Sequence, residues 1–175
     1  MKYPSFLLQA CITIFLALFL SGCDFGEGEN AEVEISKTLE TIYDKPDPYY
    51  DGSLDTSVYT GRLNALVLKS KRIEQMDRQR VREMKQPGEI PYQIEHDLFT
   101  SIHDGYTSYS IQQFDVKERE ARAVLEFNNA RVGQRWQDSI VMKYENGWKM
   151  DNVLYNDTND LKKTLEKFIQ SYNPQ

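Results

Sequence analysis

Two stretches in which apolar and polar residues alternate flank Asn146-Gly147 near the C-terminus, and they organise the reading of the rest of the chain. Trp136, Asp138, Ile140, Met142 and Tyr144 fall on one side of a strand, and Trp148, Met150, Asn152 and Leu154 on one side of the next. Asn-Gly accepts positive φ at both residues, so the pattern predicts a type I′ hairpin with one mostly apolar, buried face. The polar run Asn156-Asp157-Thr158-Asn159-Asp160 then offers N-caps for a helix on which Leu161, Leu165, Phe168, Ile169 and Tyr172 recur at helical spacing.

Upstream, Val33, Ile35, Leu39, Ile42 and Tyr43 predict a helix over residues 31–43, which Pro46 and Pro48 close. A turn-rich stretch, 45–57, carries the pair Tyr49-Tyr50. Tyr59, Leu63, Leu66, Val67, Ser70 and Ile73 trace a longer helix, continued by Val81 and Met84 to a stop at Gln86-Pro87-Gly88. Pro91 interrupts the apolar positions of 89–103, which predict a loop with a short helical turn. Residues 107–116 and 121–128 read as a second hairpin around Lys117-Glu118-Arg119-Glu120, with Ala121, Ala123, Leu125 and Phe127 on one face. The sum is an α+β domain over 33–175, a four-stranded antiparallel sheet packed against two N-terminal helices and one C-terminal helix.

Charge changes this picture little. The chain has 175 residues and a formal charge of −6, which argues against nucleic acid as a partner. Residues 24–55 carry a net −8 and residues 69–85 a net +4, the latter read as the solvated face of the long helix.

The N-terminus adds a location. Lys2 precedes an apolar run over 6–20 that is short for a membrane span and suits a signal-peptide core. It ends in Leu20-Ser21-Gly22-Cys23, which resembles the lipobox of bacterial lipoproteins. The resemblance implies cleavage between Gly22 and Cys23, acylation of Cys23, and attachment to a membrane through those acyl chains. Residues 1–22 are then the signal peptide and 23–32 a lipidated, solvated tether. Asp24 resembles the enteric-type signal for retention in the inner membrane, which favours the periplasmic face of that membrane over the outer membrane. With Cys23 acylated, no cysteine remains for an intramolecular disulfide.

The order helix, helix, four strands, helix resembles the domain of unknown function 3828, a family of bacterial envelope proteins often made as lipoproteins. Tyr49-Tyr50, His96-Asp97-Leu98-Phe99, Asp104-Gly105, Asn128-Asn129 and the run from Glu145-Asn146-Gly147-Trp148 to Tyr155 carry the resemblance, although Leu98 stands where the family pattern has a proline. It implies the nuclear-transport-factor-2-like architecture, a curved sheet wrapped around helices to form a cone, and it implies no enzymatic activity.

Residues able to do chemistry are few. His96 and His103 are the only imidazoles, and no three- or four-ligand metal set assembles around them, so neither metal nor cofactor is expected. There is no glycine-rich phosphate loop and no G-x-S-x-G elbow. Asp151 interrupts the last strand on the side of Lys149, Val153 and Tyr155, which places it exposed or paired with Lys149 or a backbone amide; inside a cone its pKa would rise and suit a general base. The candidate pocket or partner surface is therefore Tyr49, Tyr50, His103 and Asp151. These residues lead to a non-enzymatic, lipid-anchored envelope domain that binds an envelope protein or a small ligand, in an accessory or immunity-type role. The alternatives are a small-pocket hydrolase or isomerase on the same fold and a structural envelope protein.

Overall fold

A computed structural model describes residues 28–44, 49, 55–84, 88–95, 97–102, 104–155 and 158–173. In chain order these form α1 (Gly28–Tyr43), a 3-10 turn (Thr56–Val58), α2 (Gly61–Met84), the strands β1 (Ser108–Lys117), β2 (Glu120–Asn129), β3 (Gln134–Tyr144) and β4 (Trp148–Leu154), and α3 (Leu161–Ser171). The strands make one antiparallel sheet in the order β1-β2-β3-β4. The fold is α+β with an open four-stranded sheet and three helices, as the periodicities predict.

Helix α1 starts at Gly28, so residues 28–32 belong to it and not to the tether. Ala31, Ile35, Leu39, Ile42 and Tyr43 form its buried stripe, whereas Val33, two residues from Ala31 and therefore about 200° around the helix, is half exposed. The end of α1 is locked to the sheet by aromatics. Tyr43 lies 5.3 Å from Phe127 and 5.6 Å from Tyr109 between ring centres, and its hydroxyl donates to the Phe99 carbonyl at 2.9 Å. Such ring pairs add about 0.5–1.5 kcal/mol each beyond the area they bury.

Helix α2 begins at an N-cap that residue spacing did not reveal. The Thr60 hydroxyl accepts the Leu63 N–H at 3.4 Å while its carbonyl takes the Asn64 N–H at 2.9 Å. Its buried face runs Leu63, Val67, Ser70 and Ile73 and then turns acidic, with Glu74 and Asp77 each 1% exposed. Of the predicted continuation, Val81 is only half-buried and Met84 is exposed. Instead the two acids satisfy backbone N–H groups of the following loop: Glu74 Oε1 accepts from Ile94 at 2.8 Å and Asp77 Oδ2 from Tyr92 at 2.7 Å. Among the described residues between 88 and 107 no helical turn forms; this loop holds its place through those bonds and through buried Ile94, Leu98 and Phe99.

In the sheet, Ala121, Ala123, Leu125 and Phe127 of β2 and Asp138, Ile140 and Met142 of β3 face the core, as their alternation predicts. Asn146 and Gly147 both have positive φ, 56° and 116°, as the hairpin requires. Tyr144 pairs with Trp148, however, so the connection spans three residues and not the two of a type I′ hairpin. The larger departure is in β4. Register shifts by one residue between Val141 and Met142, which makes Asp151 the extra residue of a bulge. Alternation reverses there: Val153, not Leu154, is fully buried, and Asn152 moves off the core face.

Candidate functional site

The bulge decides what Asp151 does. Its side chain is buried, and its Oδ1 lies 2.6 Å from Lys162 Nζ and accepts the Thr60 hydroxyl at 2.8 Å, with Lys143 Nζ 3.7 Å from Oδ2. Burial alone would raise the pKa, but the hydrogen bonds from Lys162 and Thr60 and the charges of Lys162 and Lys143 outweigh it and hold the carboxyl below the ordinary aspartate range. The expectation that Asp151 is exposed, or paired with Lys149 or a backbone amide, is therefore corrected: it is buried and its partners are Lys162, Lys143 and Thr60, and a low-pKa carboxylate engaged on both oxygens is poorly suited to general-base work. Asp151 ties the starts of α2 and α3 to the edge strand.

Tyr49 is also corrected. It is 1% exposed, and Lys71 Nζ sits 4.8 Å from its ring centre, so it is a core residue and not a partner surface. Gly22, Cys23, Tyr50, His96 and His103 lie outside the described residues. Of the candidate residues, the structure therefore locates Tyr49, beside Lys71, and Asp151, beside Lys162, Lys143 and Thr60.

A cleft of about 820 Å³ opens elsewhere, between the loop segment 92–95, Thr100-Ser101, Tyr155 and one side of α3. One wall is aromatic: Tyr92 stacks on Phe168 with 4.5 Å between ring centres, and the Tyr92 hydroxyl donates to the Phe168 carbonyl at 2.9 Å. Lys163 and Lys167 rise from α3 into the lining, with Glu95 the single acid there. Lys163 is engaged by its own N-cap, Asp160, at 3.1 Å, whereas Lys167 has no ion pair among the described residues.

Ser101 forms the polar end of the cleft and is fixed from behind. Its N–H donates to Asp138 Oδ2 at 2.8 Å, and the Trp136 indole N–H reaches the same oxygen at 3.2 Å. Asp138 is 2% exposed, and its Oδ1 is buried with no hydrogen-bond partner among the described residues. Burial pushes this carboxyl up, and the neutral donors Ser101 and Trp136 only partly offset the effect. Tyr155, beside Ser101 in the lining, donates to the Leu98 carbonyl; burial, then the neighbouring Asp97, Asp138 and Asp160, raise its pKa well above the usual phenol range.

The arrangement offers an apolar wall, an uncommitted ammonium and a hydroxyl-bearing end, with the perturbed carboxyl of Asp138 behind Ser101 and outside the lining. Its volume lies within the range of small-molecule sites. Among the described residues no group of three or more His, Cys, Asp or Glu side chains is placed to hold a metal ion, and no helix is long and apolar enough to cross a membrane. Sequence reasoning missed this cleft because its parts lie far apart in the chain; the buried Asp138 on an apolar strand face was the one available signal. No protein-family model, curated protein or solved structure matches the chain.

Proposed function

We propose that this protein is a lipid-anchored, non-enzymatic domain of the bacterial cell envelope, on the periplasmic side of the inner membrane, that uses the cleft beside α3 to bind a small ligand with an apolar body and an anionic group. Acyl chains on Cys23 hold it to the membrane. The element order and the four-stranded meander support a place in the nuclear-transport-factor-2-like group and in the family of domain of unknown function 3828, and the lipobox Leu20-Ser21-Gly22-Cys23 supports the anchor.

The observation that carries the binding reading is Lys167 in the lining beside the stacked Tyr92 and Phe168. An ammonium at the rim of an apolar wall selects for a negative group on an apolar body. With Tyr49 buried, a partner surface at Tyr49-Tyr50 lacks that aromatic anchor, which favours this cleft.

The test uses the mature chain 23–175 with Cys23→Ser, made without its leader, and the anionic aromatic probe 8-anilinonaphthalene-1-sulfonate. Saturable single-site fluorescence enhancement is expected. Lys167→Glu weakens it at least about tenfold, a loss of about 1.4 kcal/mol, and Thr164→Trp, which fills the cleft, abolishes it. Unsaturable enhancement, or affinity indifferent to both substitutions, overturns the reading. In cells, Cys23→Ser in the full chain leaves an unprocessed precursor, and a mature-sized product from that variant overturns the anchor.

A further inference from the structure

The segment that forms one wall of the cleft carries an unused strand edge. From Glu89 to Glu95 the chain runs without turn or bend. In an extended chain the N–H and C=O of one residue point one way and those of the next residue point the opposite way. The Tyr92 N–H donates to Asp77 and the Ile94 N–H to Glu74, both on α2, so the backbone groups of Gln93 and Glu95 are turned away from α2. Both residues line the cleft, and among the described residues neither their N–H nor their C=O groups take part in a hydrogen bond.

Unpaired backbone groups in a row are a template for a second extended chain. This row is also held in place before any ligand arrives, because Glu74 and Asp77 fix it from one side and the stack of Tyr92 on Phe168 fixes its start. Little ordering cost then falls on binding. The charges around the edge give it a direction. Lys167, which has no ion pair among the described residues, adjoins Phe168 at the Tyr92 end of the segment, and Glu95, the single acid of the lining, stands at the other end. A carboxylate is therefore favoured at the Tyr92 end. At about 3.3 Å per residue, residues 92–95 make roughly 13 Å of edge, enough for a peptide of three or four residues.

We infer that the ligand of the cleft is a short extended peptide with a free C-terminal carboxylate and an apolar side chain beside it, bound by strand addition to Gln93 and Glu95. This rests on the cleft reading proposed above and names its ligand class. Backbone pairing with Gln93 and Glu95 supplies affinity with little regard to sequence, Lys167 takes the carboxylate, and the Tyr92 and Phe168 rings take the apolar side chain. An aromatic anion without amide groups leaves the backbone edge unanswered.

Calorimetric titration of the mature chain 23–175 carrying Cys23→Ser with the peptide acetyl-Ala-Ala-Leu-Phe tests this. One-site binding is expected, weakened at least about tenfold when the peptide carboxylate is converted to an amide and by a similar factor in Lys167→Glu. Methylating the peptide nitrogens one at a time should weaken binding about tenfold at alternate positions and leave the positions between within about threefold, because only every second N–H faces the edge. Absence of peptide binding in a protein that still binds 8-anilinonaphthalene-1-sulfonate through Lys167 overturns the peptide assignment alone, as does a flat methylation profile or indifference to amidation. Saturable binding of neither probe overturns the cleft reading and the peptide assignment together.

Discussion

The Nζ of Lys162 lies 2.6 Å from Oδ1 of Asp151, and this ion pair joins the first turn of α3 to the bulge of β4. Both side chains are nearly buried, so removing one strands the other charge away from water. Asp151→Ala is expected to cost about 3–5 kcal/mol in urea denaturation, with Asp151→Leu/Lys162→Met recovering much of it. Because the folded pKa of Asp151 lies below its ordinary 3.8, its contribution is present above that pH and is lost as the pH falls through the folded value. The Asp151→Ala chain should accordingly show a flatter stability profile than the wild type in the acid range.

The bulge also sets which neighbour is core. Val153→Ala should destabilise by about 2 kcal/mol and Leu154→Ala by about 1 kcal/mol or less, since only Val153 is fully buried. Uninterrupted alternation predicts the opposite order, so the paired denaturation midpoints discriminate the two registers.

Asp77 holds three segments at once. Its carboxylate takes Arg80 Nε at 2.7 Å, the Tyr92 N–H at 2.7 Å and the Tyr172 hydroxyl at 3.3 Å. The Arg80 hydrogen bond, against opposing burial, keeps its pKa low. Asp77→Ala is expected to cost about 3–5 kcal/mol. It should also speed amide exchange at Tyr92 and Ile94 well beyond that in the sheet, which hydrogen–deuterium exchange reads directly.

Asp138 has the opposite sign. Its folded pKa is raised above 3.8, so ionising it in the folded state costs stability, and that cost is complete once the pH exceeds the folded value. Asn keeps an oxygen for the Ser101 and Trp136 N–H groups without the charge. Asp138→Asn should match the wild type near pH 4 and gain in melting temperature relative to it as the pH rises to 7.5. A gain that is constant with pH would show that Asp138 titrates normally.

Both hairpins and the faces of α1, β2 and β3 were legible because each depends on periodicity within a single element, as Ala121, Ala123, Leu125 and Phe127 illustrate. The bulge at Asp151 was not, since an inserted residue leaves no compositional mark and its stabilising partners, Thr60 and Lys162, lie outside the strand. Burial of Glu74 and Asp77 was hidden for a related reason: acids at helical spacing read as a solvated face until a distant loop brings N–H donors to them. Tyr49 sits in a turn-rich segment where no periodicity marks a buried side; only the general tendency of adjacent aromatics to pack pointed to the core it occupies beside Lys71. The cleft required residues 92–95 and α3 to meet across the fold, a contact that no local pattern encodes.

The most direct test of the binding account is to map where the anionic probe sits. In ¹H–¹⁵N spectra of the mature chain with Cys23→Ser, titrating 8-anilinonaphthalene-1-sulfonate should shift the amides of Gln93, Thr100, Ser101, Thr164 and Lys167 together, with one dissociation constant, and leave those of the β1–β2 turn in place. Shifts confined to the turn around Glu118-Arg119, or scattered without saturation, would contradict the cleft as the binding site.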